Sequence, residues 1–380
     1  LSKIKEISLI NPTHNNLPNS FIYIDLESVK KGVLKKKNLI SKKSAPSRAQ
    51  RLLKSGDILY QSVRPYQKNN YFFDLDGDYV ASTGYLQIKT TINNKYLYQY
   101  FHNNTFVNKV LKLCTGANYP TINSKDFGNI EIAIPSNSEQ NKIAEFLSSV
   151  DKKIQLLEKK KEKLGLYKKG VMQKIFSQKI RFKENNGNEF PDWEEKKLGE
   201  FSKLLRGHSY NSTNVKDSGL LVLRSSNIKN GRLVLDKDLQ FVNKKCKEEI
   251  LLMNKDIVIC MANGSKNLVG KSAVYFGDYQ EKITIGAFCS IMRSELELSR
   301  YILQSVQFKR YLHTLLAGTN INNLKNSELS ELKFWIPCSK DEQKKITNFL
   351  ATIDKKIESV NIQIKKTKEF KKGLLQQMFV

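Results

Sequence analysis

Glu139-Gln140-Asn141-Lys142-Ile143-Ala144-Glu145-Phe146-Leu147 returns later in the chain as Glu342-Gln343-Lys344-Lys345-Ile346-Thr347-Asn348-Phe349-Leu350. The likeness continues. Asp151-Lys152-Lys153-Ile154 recurs as Asp354-Lys355-Lys356-Ile357, and Lys168-Lys169-Gly170 with Gln173 and Phe176 recurs as Lys371-Lys372-Gly373 with Gln376 and Phe379, at a constant offset of 203 residues. Stacked solenoid units repeat every 20 to 50 residues or so. A repeat this long instead divides the chain into two tandem halves with pseudo-two-fold symmetry.

Both copies carry the pattern of a long amphipathic helix. Alternating steps of four and three from Ile143 reach Leu147, Val150, Ile154, Leu157, Lys161, Leu164, Lys168, Val171 and Ile175, eight of the ten positions being apolar. From Ile346 the same walk reaches Leu350, Ile353, Ile357, Val360, Ile364, Thr367, Lys371, Leu374 and Met378, again eight of ten. Residues between these are mostly Lys, Glu, Gln and Asn, so the pattern is a coiled-coil seam. Each helix is expected to run on the order of 55 Å at about 1.5 Å per residue, too long to bury its stripe on one small domain. Pairing of the two helices with each other explains the duplication most simply. An intermolecular coiled coil is the alternative, and the sequence leaves the register open. Lys168 and Lys371 are expected to snorkel. Gly170 and Gly373, each costing roughly 1 kcal/mol in a helix relative to Ala, suggest close packing or a kink.

Composition bounds the partners. The chain has 380 residues, 40% of them hydrophobic, a net charge of +27 and a pI near 9.7. That size suits two or three cores, and a field of that sign attracts polyanions, either nucleic acid or an anionic membrane surface. No apolar run reaches the roughly 18 residues of a spanning helix. The first residues, Leu1-Ser2-Lys3-Ile4, lack an apolar signal core and a Met, so the chain is expected to start inside a longer one. Cys114, Cys246, Cys260, Cys289 and Cys338 never fall in C-x-x-C spacing, and His14, His102, His208 and His313 are scattered. Free thiols in a reducing cytoplasm are expected, with no metal.

Before each helix lies a stretch rich in short β-like runs, aromatics and polar turns. Tyr23-Ile24-Asp25-Leu26 with Lys31-Gly32-Val33-Leu34 answers Val222-Leu223-Arg224-Ser225 with Asn230-Gly231-Arg232-Leu233. Gly56-Asp57-Ile58-Leu59 answers Lys255-Asp256-Ile257-Val258, and Gly116-Ala117-Asn118 with Ile134-Pro135 answers Gly318-Thr319-Asn320 with Ile336-Pro337. Between these landmarks the halves diverge while their helices do not. One mechanical part used twice, with two globular parts that read different things, fits that contrast; loss of role in one half is the alternative.

Polar, aromatic and cationic residues cluster in the turns. In the first half they are Arg48, Gln50, Arg51, Gln61, Arg64, Tyr66, Gln67, Lys68, Asn69, Asn118 and Tyr119. In the second they are Arg206, His208, Tyr210, Asn211, Arg224, Asn227, Asn263, Ser265, Lys266, Asn267, Lys271, Thr319 and Asn320. Arg offers a bidentate fork to guanine, Asn and Gln offer one to adenine, and Lys mostly holds phosphate. For any one of these residues a solvated loop is the competing explanation.

Gly264-Ser265-Lys266-Asn267-Leu268-Val269-Gly270-Lys271-Ser272 imitates a phosphate-binding loop. It has five residues between its glycines where the motif requires four, so an NTPase is rejected. No G-x-S-x-G elbow or dinucleotide fingerprint appears. Asp74, Asp76 and Asp78 around Gly77 make an ordinary turn rather than a nuclease metal site.

With these residues in hand, the chain resembles the type I restriction-modification specificity subunits, the HsdS family. The likeness rests on Ile-Pro followed by Glu-Gln-x-x-Ile-x-x-Phe-Leu at 134–147 and 336–350, on Asp-Lys-Lys-Ile in each helix, and on Trp193 to Leu198-Gly199. Asn263-Gly264-Ser265 with Leu268-Val269-Gly270-Lys271 adds weaker support. The resemblance implies an α+β fold of two mixed α/β target recognition domains separated by two long antiparallel helices forming a coiled coil. Boundaries are placed at 1–138, 139–178, 179–340 and 341–380. Each domain is expected to read one half of a split, asymmetric double-stranded DNA sequence, with the helices setting the gap. Two modification subunits, which bind S-adenosylmethionine and methylate adenine, are expected to dock, and restriction and motor subunits to join them. No cofactor or catalytic role is expected of this chain, and its place is the bacterial or archaeal cytoplasm at the nucleoid. The first half departs from the pattern: it lacks a clear counterpart of Trp193-Glu194-Glu195-Lys196-Lys197-Leu198-Gly199 before Ile4, and it has Arg64-Pro65-Tyr66-Gln67-Lys68 in place of the Asn-Gly-Ser stretch. The rival readings are a basic coiled-coil scaffold that binds nucleic acid without preference and an unrecognised nuclease or methyltransferase.

Overall fold

The computed structural model describes residues 1–379 apart from 15 and 318–321. Two long helices run from Asn137 to Phe176 and from Lys340 to Met378. The chain divides into two compact units, residues 1–160 with 360–380, and residues 161–359, so that each long helix contributes to both.

In the first unit, strands Ser8–Ile10, Tyr85–Thr90, Ile58–Gln61 and Tyr71–Phe72 form an antiparallel sheet in that order. A second sheet places Ser20–Ile24 parallel to Tyr79–Ser82, flanked by Asn38–Ser41 and Ala49–Leu52. Strand Ile58–Gln61 is buried on both faces and reads as a continuous apolar run ending in Gln. Its Tyr60 ring meets Phe101, Phe106 and Phe127 at centroid distances of 5.3, 6.1 and 4.6 Å. Aromatic pairs of this kind contribute roughly 0.5–1.5 kcal/mol each beyond burial.

The second unit repeats this topology with little shared sequence. Lys203–Arg206, Cys289–Arg293, Ile257–Cys260 and Ser272–Val274 form the matching sheet, extended by Arg232–Leu233 and Ile228–Lys229. Leu220–Leu223 runs parallel to Ile283–Ile285, as Ser20–Ile24 does to Tyr79–Ser82. Backbone geometry explains the landmarks that survive. Lys31-Gly32 and Asn230-Gly231 both have two consecutive positive φ values, as a two-residue hairpin turn demands. Asp57 and Asp256 are both buried at a strand start, and each carboxylate accepts the backbone N–H three residues earlier, from Lys54 and Met253 at 2.8 Å.

The long helices pair antiparallel within each unit. In the first, Ile143, Ala144 and Leu147 pack with Leu374, Leu375, Met378 and Phe379. In the second, Met172 and Ile175 join Ile346, Leu350 and Ile353 in a core with Trp193, Tyr301 and Phe308. The predicted seam residues Ile143, Leu147, Val150, Ile154, Ile346, Leu350, Ile353 and Val360 are buried, and Leu157, Leu164, Ile357 and Ile364 half-buried. Lys168 and Lys371 do not snorkel. Lys371 binds both oxygens of Asp151 at 2.6 and 2.7 Å, and Lys168 pairs with Asp354 at 2.7 Å, so one ion pair is built twice at the 203-residue offset. Close packing at Gly170 and Gly373 is not found either, since a Cβ at either position would meet nothing within 4 Å.

The repeated Glu-Gln also has a local cause. Gln140 and Gln343 each donate Nε2–H back to a proline carbonyl, Pro135 at 2.9 Å and Pro337 at 2.7 Å, stapling the chain to the helix start. Glu342 is fully buried, accepting from Arg181 Nε and Nη2 and from Trp193 Nε1 at 2.9–3.2 Å, whereas Glu139 is exposed. A counterpart to the end of the Trp193 stretch does exist in the first half. Ser2–Lys3 pairs with Glu131–Ile132 as Trp193–Lys197 pairs with Lys333–Pro337, and Lys3 N–H donates to Glu6 as Lys197 N–H does to Glu200.

Candidate nucleic-acid interface

In the first unit, backbone hydrogen bonds tie four turns into one edge. Thr83 N–H donates to Arg48 O, Ser62 N–H to Gly84 O, and Arg64 N–H to Pro120 O at 2.7 Å. Val63 and Thr115 both bridge to Thr121. The edge gathers Arg48, Arg64, Tyr66, Asn118 and Tyr119, of which all but half-buried Arg64 are exposed. The Arg64 guanidinium lies 4.1 Å from the centroid of the Tyr119 ring, an arrangement that rigidifies both side chains. Gly116 has φ +91°, and a Cβ there would stand 2.9 Å from Tyr119 O, so this turn requires glycine.

Arg64 and Lys68 have left-handed backbone, φ 54° and 53°, on either side of the helical turn Pro65–Gln67. Such strain costs on the order of 1 kcal/mol or more per residue and persists only when its surroundings enforce it. Arg64 N–H is held by Pro120 O and Lys68 N–H by Pro65 O, and Gln61 braces the residues beside them. Buried to 2% exposure, it donates Nε2–H to Val63 O at 2.7 Å and Gln67 Oε1 at 3.0 Å, while its Oε1 accepts from Asn69 N–H at 3.2 Å. Its amide is therefore engaged within the loop, which corrects the expectation of a base-contacting Gln61. Arg51 lies half-buried within strand Ala49–Leu52, away from the turns, and burial lowers its pKa. Lys68 turns inward, donating to His102 O at 2.8 Å and Asn104 Oδ1 at 2.6 Å.

The second unit builds its edge from the equivalent turns. His208 bridges to Gly286, Gly286 N–H donates to Leu223 O beside Arg224, and Met261 N–H donates to Phe288 O. A Cβ on Gly207 would collide with the carbonyl oxygen of Gly286, so only glycine allows that approach. Arg206, Arg224, Ser265, Lys266 and Asn267 are exposed; Tyr210 and Lys271 are half-buried. His208 is buried and stacks on Tyr210, its ring centroid 6.3 Å away, and burial followed by nearby Lys244 pulls its pKa down. Asn227 is a second correction: 1% exposed, it accepts from Arg224 N–H and donates toward the carbonyls of Val234, Lys237 and Asp238. Asn263 is likewise engaged, donating to Ser225 Oγ on the turn that follows Arg224 and accepting from Ser265 N–H in its own loop. Asn320 and Thr319 lie outside the described residues.

Sequence reasoning missed Phe288. It stands 72% exposed on the turn between Ile283–Ile285 and Cys289–Arg293, amid these polar groups. An aromatic in a Gly-containing turn between two apolar runs was the available signal.

The two edges share a frame and differ in side chains. The model of the type I restriction modification DNA specificity domain matches the chain twice, over residues 4–166 and 191–368. The chain belongs to this family. It is 29% identical over 281 residues to the type I restriction enzyme MjaVIII specificity subunit of Methanocaldococcus jannaschii, covering 68% of this chain and 64% of that one. To the EcoKI specificity subunit of Escherichia coli it is 34% identical over 163 residues, 40% of this chain and 34% of that one. The chain thus spans under two thirds of these relatives' length. Among solved structures, the S subunit of a type I restriction-modification system from M. genitalium matches with a TM-score of 0.60 at 14% identity, over 100% of this chain and 95% of that one. A chain from a study of complex assembly in a type I R-M system matches with a TM-score of 0.57 at 20% identity, over 100% and 96%. These likenesses show the fold. No helix among the described residues is long and apolar enough to cross a membrane.

Proposed function

We propose that this chain is the DNA sequence-specificity subunit of a type I restriction-modification system, in which each unit reads one part of a split, asymmetric duplex target. The observation that carries the reading is the contrast between a duplicated frame and unlike edges: Arg64 stacked on Tyr119 in one unit, Arg206, His208–Tyr210 and Phe288 in the other. A single repeated motif would read the same bases twice; unlike edges read different ones. The net charge of +27 supports a phosphate-dominated affinity on which that reading is superimposed. In this reading the chain supplies recognition without chemistry. Two modification subunits that carry S-adenosylmethionine dock on it, and restriction and motor subunits complete the complex in the cytoplasm.

Selection from a random duplex library by the chain together with its modification subunits tests this. One split, asymmetric sequence is expected. A continuous palindrome, no preference, or turnover of DNA by the chain alone would contradict it.

A further inference from the structure

The two lysines of the duplicated Lys-Lys-Gly stretch line a cavity in each unit. In the first unit Lys368, Lys371, Lys372, Leu375 and Gln376 face a space of about 350 Å³, closed on the other side by Lys68, His102 and Asn104. In the second, Gly165, Lys168, Lys169, Met172 and Gln173 face one of about 780 Å³, closed by residues that include Lys266, Lys271 and Lys309. The five helix positions correspond one for one at the 203-residue offset. Gly165 stands where the other copy has Lys368, and no atom lies within 4 Å of a Cβ built on it, which leaves the second cavity wider.

Charge in the cavities is unbalanced. Neither lining includes an Asp or Glu. Around the first, Lys371 is neutralised by Asp151 and Lys368 by Glu158, while Lys68 has only neutral acceptors and Lys372 has no ion-pair partner among the described residues. Around the second, Lys168 is paired with Asp354; Lys169, Lys266, Lys271 and Lys309 have no ion-pair partner among the described residues. The cations feel one another: burial, then Lys372 and Lys371, lowers the Lys68 pKa, and burial, then Lys371, holds the His102 pKa at about 4. Like charges gathered around an open space, without a carboxylate between them, are stabilised by an incoming anion.

Position indicates which anion. The loop that carries Arg64 and Tyr66 to the edge of the first unit turns its Lys68 into the cavity, and the loop that carries Ser265 to the edge of the second sends Lys266 and Lys271 into its cavity. We infer that each cavity is a binding site for a phosphate oxyanion, supplied by the DNA backbone beside the bases that the same loop reads. The inference rests on the proposed function for its source of phosphate and on the cavities alone for the site. The lysines would fix the register of the duplex while the edge residues discriminate bases, the usual division of labour in such interfaces.

The test uses the full chain and the double variant Lys169→Gln with Lys372→Gln, equivalent lysines that have no ion pair to lose among the described residues. Duplex binding is measured against salt, and thermal stability against added inorganic phosphate. Lys153→Gln with Lys356→Gln, equivalent exposed lysines outside both cavities, removes the same charge as a control. We expect the slope of log K against log salt to become shallower by about 2 in the cavity variant, near 0.9 for each phosphate no longer neutralised. The control should change it less, and sequence preference should persist. A stabilisation by phosphate that the cavity variant abolishes, with an unchanged DNA slope, would assign the same chemistry to free phosphate. If neither measurement separates the cavity variant from the control, the sites do not exist. Absence of sequence preference in the unmodified chain would instead count against the proposed function and leave the cavity measurement standing.

Discussion

Replacing Asn227 with Ala removes the acceptor for Arg224 N–H and a donor toward three carbonyls at 3.3–3.4 Å. Leaving such groups buried and unpaired costs about 1–3 kcal/mol. Urea unfolding of Asn227→Ala and Gln61→Ala should show losses of that size, and wild-type stability with altered base preference would reverse the assignment. Arg64→Ala should behave in the opposite way, with stability nearly unchanged and discrimination at one position of the target reduced by about 1–3 kcal/mol. Competition binding with single-base variants of the selected duplex measures this. Residue type alone could not separate these cases. An Asn or Gln in a turn has the same amide whether it faces a base or closes its own loop, and which occurs depends on burial set by strands far away in sequence. Phe288 shows the converse: its place in a Gly-containing turn between two apolar runs was a signal, but only its 72% exposure separates it from a core aromatic.

At the scale of elements, periodicity was a reliable guide because a long amphipathic helix must bury its stripe wherever it lies. The predicted seam from Ile143 to Ile154 and from Ile346 to Val360 is the buried face. Register was not legible, because Lys168 and Lys371 pair with carboxylates on the other helix, and only the antiparallel offset brings Asp354 and Asp151 to them. The Glu-Gln pair shows how identical letters acquire different roles. Gln140 and Gln343 do the same work, yet Glu342 is buried against Arg181 and Trp193 while Glu139 faces solvent. Glu342→Ala should therefore destabilise by about 1–3 kcal/mol, since it leaves the buried Trp193 indole N–H unpaired and Arg181 with only Asp192 and the carbonyls of Phe190 and Pro191. Glu139→Ala should stay within about 0.5 kcal/mol. Paired denaturation curves check the contrast, and equal losses would show that the Arg181 network contributes nothing.

At the scale of the molecule, duplication with divergence was the most legible property of all, because both copies of the helix must bury the same seam and so keep the same pattern. The globular parts share strand order and hairpin turns but little sequence, as expected where backbone geometry alone is held in common. If the helices set the gap between the two parts of the target, inserting seven residues after Lys160 and seven after Ser359 preserves the seam and lengthens both helices by about 10 Å. The selected gap should then widen by about three base pairs at ~3.4 Å per pair; an unchanged gap would remove the spacer role. The central claim, that one frame carries two independent readers, is tested most directly by replacing residues 161–359 with the corresponding unit of another family member and repeating the duplex selection. One part of the target should change to the donor's while the other stays as it was. A change in both parts, or in neither, would contradict independent reading.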